Sequence, residues 1–129
     1  MRLLIVGSLD GHIVTAGKIA LERGAKVAHV GDIDSALVAL RSGRGADLIM
    51  IEVKLEIGRL CTSLESERFS VPVVACGIGA EPQLAAEAIR NGAKEYIPLP
   101  PDAELIAAVL AAVAEETASL IYRDPKMAE

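Results

Sequence analysis

The chain has 129 residues, enough for one domain with a buried core. Hydrophobic residues make up 52% and aromatic residues only 2%, with a mean hydropathy of +0.41, so the core must be built from Val, Ile, Leu and Ala. A net charge of −5, a pI of about 5.1 and the absence of a basic patch argue against direct nucleic-acid contact. There is no run of about 18 uninterrupted apolar residues, so no membrane span is expected. Met1–Val6 is too short for a signal peptide and leads straight into structure. Cys61 and Cys76 show neither metal nor redox spacing. A cytoplasmic domain without metal or cofactor is the expectation.

Strand and helix signals alternate five times along the chain. Leu3–Val6 reads as a buried strand, followed by an amphipathic helix over Gly11–Arg23. Lys26–Val30 and a helix over Ile33–Ser42 repeat the pattern, as do Asp47–Ile51 with Glu56–Arg68. Val71–Cys76 with Glu81–Asn91, then Glu95–Ile97 with Asp102–Ala118, complete it. Gly24, Gly43, Gly45 and the pair Asn91-Gly92 punctuate the joints. This alternation predicts an α/β domain of the (βα)5 flavodoxin-like class, a parallel sheet of order 2-1-3-4-5 with helices on both faces. In such a sheet, ligands and chemistry gather at the carboxyl ends of the strands.

The five βα units, Val71-Pro72-Val73-Val74, and Asn91-Gly92-Ala93-Lys94-Glu95-Tyr96 before the last strand resemble response-regulator receiver domains. The resemblance implies where phosphoryl chemistry would sit. An acidic pair after the first strand holds Mg²⁺, and an aspartate at the end of the third accepts the phosphoryl group. A hydroxyl follows the fourth strand, and a lysine before a proline ends the fifth. Metal and lysine neutralise developing phosphoryl charge. In this chain the acidic pair falls on Gly7 and Ser8, the acceptor on Glu52, the hydroxyl on Gly77 and the lysine on Leu99, with Pro100 retained. The expectation is a degenerate pocket, a pseudo-receiver with no catalytic residue and no bound metal. Glu52 has two readings: a built-in mimic of phosphoaspartate, or a vestigial carboxylate held by a nearby donor.

The resemblance narrows further. The opening Met1–Gly7, Gly24–Val27, Val71–Gly77, and Gly92–Glu95 running into Ile97–Ile106 are similar to the FlbD type of NtrC-family, sigma-54-dependent flagellar regulators. That architecture couples a receiver to an AAA+ ATPase and a DNA-binding domain. It implies a degenerate receiver over residues 1–118, with 119–129 as a linker into an AAA+ domain not present here. Ile121–Met127 resembles the opening of that domain, and the chain holds no Walker A loop. Control would then pass to protein contact, with a FliX-type flagellar regulatory protein as one partner. A constitutive dimerisation or scaffold domain is the alternative.

Rival chemistries are thinner. Asp10-Gly11-His12 matches the start of a cobalamin-binding motif, but the required glycine falls on Thr15 and the residue after strand three is Glu52. The bland reading has Asp10 capping the first helix and His12 exposed in its first turn. Gly7-Ser8-Leu9-Asp10-Gly11 is not a dinucleotide fingerprint, and Asp32 and Asp34 sit in a turn beyond strand two. Cys76 reads as a buried structural thiol, and Cys61 has no nearby His.

The positive signal lies on helices. Leu105–Ala114 carries no charge. With one stripe on the sheet, Ala107, Leu110, Ala111 and Ala114 are expected to face outward as a homodimer or partner surface. Helix one offers Ile13, Gly17 and Ala20 as a second candidate face.

Overall fold

The computed structural model describes residues 1–8, 11–43, 45–78 and 82–122, with side chains of the last helix described as far as Val113. Five strands alternate with five helices: β1 (Arg2–Val6), α1 (Ile13–Glu22), β2 (Lys26–Val30), α2 (Ile33–Arg41), β3 (Leu48–Glu52), α3 (Ile57–Ser66), β4 (Val73–Ile78), α4 (Pro82–Arg90), β5 (Glu95–Leu99) and α5 (Ala103–Tyr122). The strands are parallel and lie in the order β2-β1-β3-β4-β5. The expected (βα)5 fold is therefore the observed one.

Alternation along each strand splits the core in two. Leu3, Ile5, Leu48, Met50, Val74 and Cys76 face α1 and α5. Leu4, Val6, Ile49, Ile51, Val73 and Ala75 face α2 and α3. The continuous apolar runs of β1 and β3 follow from this burial on both faces. Asp32 caps α2 by accepting the Ser35 N–H at 2.7 Å, which holds its carboxyl below the usual carboxylate range. Its position after β2 is thus a helix cap. Asp102 starts α5 the same way, accepting the Glu104 N–H at 2.8 Å.

Most element bounds shift by a residue or two from expectation, and the shifts of β4 and β5 matter for the site. β4 starts and ends two residues later than predicted, and β5 runs two residues longer. Gly77 pairs with Pro98 and Ile78 with Leu99, so Gly77 and Leu99 belong to the sheet and not to the loops beyond it. The sequence underweighted this extension because glycine and proline are poor strand formers; ladder pairing between neighbours overrides local propensity. At the other end, α5 continues to Tyr122 without a break at Ala118. Residues 119–122 are helical, and 123–129, where the predicted linker continues, lie outside the described residues.

Candidate functional site

β1, β3, β4 and β5 bring Gly7, Ser8, Glu52, Gly77 and Leu99 to one end of the sheet. Glu52 ends β3 and is largely buried, its side chain 13% exposed. Its carboxylate Oε1 accepts the backbone N–H of Ser8. Its Oε2 lies 3.2 Å from Lys54 Nζ. A carboxylate at this depth needs such partners, because an unpaired buried charge is costly. Lys54 itself is 63% exposed, so the ion pair is half solvated and contributes modestly.

Gly7 explains how Glu52 fits. A Cβ built on Gly7 would stand 2.6 Å from Glu52 Cγ and 2.7 Å from Cδ. The space that an acidic side chain at this position would use holds the Glu52 side chain. On β2, His29 Nε2 lies 2.9 Å from the Gly7 carbonyl oxygen and donates to it as the Nε2–H tautomer. Gly7 thus has its carbonyl tied to β2, its N–H to Val30 and its open face to β3.

Gly77 has a similar relation to other side chains. A Cβ there would stand 2.6 Å from Tyr96 Oη and 2.6 Å from Val53 Cγ2. Leu99 is 5% exposed and packs with Ile97, Ile106 and Val109 in the α1/α5 core. An apolar side chain there supplies no cation to the site. Cys76, beside Glu52 in the ladder, has its thiol pushed up to about 12, first by burial and then by the negative charge of Glu52. A thiol so protonated is no nucleophile near neutral pH. Burial also raises the Cys61 thiol on α3.

Sequence reasoning found the five positions but missed Lys54, Val53, Tyr96 and His29. The one signal for Tyr96 was its rarity in a chain with two tyrosines. The others have no local signature. Among the described residues no group of three or more His, Cys, Asp or Glu side chains could hold a metal. His12 is the exposed N-cap residue of α1, and its side chain makes no capping bond. Asp10, the expected cap, lies outside the described residues.

No family model matches the chain. The transcriptional regulatory protein FlbD of Caulobacter vibrioides is 56% identical over 127 residues, 98% of this chain. The chain is a receiver domain of the FlbD type. It spans 28% of that relative's length. Among solved structures, NtrX from Brucella abortus in complex with ADP superposes with a TM-score of 0.77 at 24% identity, covering 94% of this chain and 29% of that one. A two-component response regulator from Clostridium difficile superposes with a TM-score of 0.76 at 19% identity, covering 91% and 98%. Both share the fold.

Part of the helix surface expected to be free in this FlbD-type domain is core. Ile13 and Ala20 are fully buried, and a Cβ on Gly17 would stand 2.7 Å from Ile5 Cδ1. These three residues are the stripe by which α1 sits on β1, so they are not an interface. Leu110 is 8% exposed and belongs to the same core, contrary to its expected outward orientation. Helix α5 packs against α1 as well as the sheet, so a second ridge of the helix is covered. Ala111 remains exposed and Ala107 half-buried; the side chain of Ala114 lies outside the described residues. Ala108 and Ala112, also exposed, border a groove of about 330 Å³ with Leu105, Val109 and Val113. Among the described residues no helix is long and apolar enough to cross a membrane.

Proposed function

We propose that this domain is a pseudo-receiver that regulates a sigma-54-dependent flagellar transcriptional activator through protein contact and not through phosphorylation. The observation that carries the reading is the Glu52 carboxylate lying over Gly7, bonded to Ser8 N–H and paired with Lys54. Phosphoryl transfer to a receiver needs a metal held by carboxylates and a cation facing the acceptor. Gly7 and Ser8 bring no side-chain carboxylate, and Leu99 brings apolar packing. The family likeness supports the transcriptional role, since FlbD is a transcriptional regulatory protein. The rest of such a regulator, an AAA+ ATPase and a DNA-binding domain, would be what the domain controls.

Of the two readings of Glu52, the held carboxylate is favoured. Its oxygens are engaged by Ser8 and Lys54, and a single charge is about half that of an aspartyl phosphate. Beryllofluoride or acetyl phosphate with Mg²⁺ is expected to leave the amide spectrum of the domain unchanged. A Mg²⁺-dependent adduct on Glu52 would overturn the proposal.

The exposed alanines of α5 are the surface we assign to a homodimer or to a FliX-type partner. Ala111→Glu is expected to leave stability within about 0.5 kcal/mol, as exposed substitutions do. It should also weaken self-association or partner binding, read by sizing the domain alone and with candidate flagellar proteins. Unchanged association and unchanged regulation in the full-length chain would leave a constitutive scaffold as the better reading.

A further inference from the structure

The four joints that lead from a helix into the next strand share one backbone device. Each places a residue of positive φ just past the helix: Gly24 at 90°, Gly43 at 86°, Arg68 at 61° and Gly92 at 114°. After α3 the Arg68 N–H donates to the Glu65 carbonyl at 3.1 Å and the Phe69 N–H to the Leu64 carbonyl at 2.8 Å. This double closure favours glycine, because a Cβ strains the left-handed backbone. Among the described residues Arg68 is the one non-glycine with positive φ. A cation does suit the negative end of a helix. That need is met elsewhere without strain, since Arg23 and Arg90 stand one and two residues before Gly24 and Gly92.

What Arg68 gains by its position is a groove. With Lys94 it lines a concavity of about 520 Å³ where α3 and the starts of β4 and β5 meet. Phe69, the one phenylalanine of the chain, lines it beside Val71 and Pro72, and all three are half-buried. Glu65 is the one carboxylate among the described lining residues. Charge is also lopsided along the strands. Arg2, Arg23, Lys26, Arg90 and Lys94 lie at this amino end of the sheet, whereas Asp32, Glu52, Glu56, Asp102 and Glu104 lie at the other. Of the carboxylates at the amino end, Asp47 accepts the Arg2 N–H and Glu67 pairs with Arg41. A chain of net charge −5 thus carries a local positive field at one end.

We propose that this groove docks an acidic, amphipathic segment of a partner protein. Its apolar side chains would lie on Phe69, Val71 and Pro72, and its carboxylates would meet Arg68 and Lys94. The groove is open to solvent, which suits a length of chain better than an enclosed small molecule. The planar guanidinium of arginine forks onto a carboxylate, a role that glycine at this position could not fill. The site lies at the opposite end of the sheet from Glu52, so it stands whether or not that carboxylate can take a phosphoryl group.

Nuclear magnetic resonance of the isotope-labelled 129-residue chain tests it, with a short peptide of alternating aspartate and leucine as the probe. The peptide is expected to shift the amides of Arg68, Phe69 and Lys94, and to bind more weakly as salt is raised. Its counterpart with lysine in place of aspartate should leave those amides unmoved. Arg68→Gly relieves the backbone and removes the charge, so it should raise the melting temperature while weakening binding about fivefold, the upper end for an exposed charge pair. Arg68→Lys keeps both charge and strain, and should keep the melting temperature and most of the binding. Equal responses to the two peptides, shifts confined to α5 or to the Glu52 end, or an Arg68→Gly variant that binds as tightly as the original would each overturn the proposal.

Discussion

Gly7→Ala is expected to destabilise the domain by about 1–3 kcal/mol, the range for overpacking a filled site. Adding one methyl group to an exposed chain would do almost nothing, so the size of the effect depends on the Glu52 side chain standing in the way. That side chain can swing aside, but doing so gives up the Ser8 N–H bond and the Lys54 pair. The cost is therefore that of displacing a partly buried carboxylate from its donors. Removing the obstacle gives the decisive comparison. In a Glu52→Ala background the three atoms nearest to the new methyl are gone, and Gly7→Ala should cost much less. The double-mutant cycle, read from urea midpoints at constant slope, should then show a coupling of about 1–2 kcal/mol. Costs that simply add would mean that the fit between Gly7 and Glu52 has no energetic content.

Leu99→Ala should cost more, about 2–5 kcal/mol, the range for truncating a buried leucine. The position ends β5, where an exposed strand terminus would tolerate almost any residue. Here it is 5% exposed and joined to Ile97, Ile106 and Val109 between the sheet and α5. Leu99→Met keeps the volume and is expected to cost under about 1.5 kcal/mol. The contrast between the two separates packing from backbone effects at the flanking Pro98 and Pro100. A loss below about 1 kcal/mol for Leu99→Ala would place the side chain outside the core.

Under the proposed pseudo-receiver reading, these two positions show how side-chain packing would stand where phosphoryl chemistry is lost. Gly7 makes room, Glu52 fills that room and Leu99 extends the core to the strand end. Gly77 makes room a second time, for Tyr96 and Val53. Gly7, Glu52, Gly77 and Leu99 each have a packing partner, so under that reading restoring one receiver residue at a time should strain the site instead of reviving it.

The sequence by itself determined the fold. Five apolar runs alternating with amphipathic helices permit one economical sheet, and handedness places the helices on its two faces. The resemblance to receiver domains named the five positions that meet at one end of the sheet, whereas the true ends of β4 and β5 came only with the folded structure. Apart from element boundaries, the sequence's errors concerned which helix faces are covered. Ile13, Gly17, Ala20 and Leu110 were assigned to a free surface because a helix with no polar face leaves its orientation open. Tertiary packing decided it: α1 and α5 lie against each other on one face of the sheet, so each buries two ridges where a lone helix would bury one. Glu52 shows the same limit at the site. The sequence placed a carboxylate at the end of β3, next to glycines on neighbouring strands, but not the direction in which it points. That direction depends on a donor 44 residues away on Ser8 and on the missing Cβ of Gly7. Contacts between strands far apart in the chain leave no local pattern, and only the folded sheet brings them together.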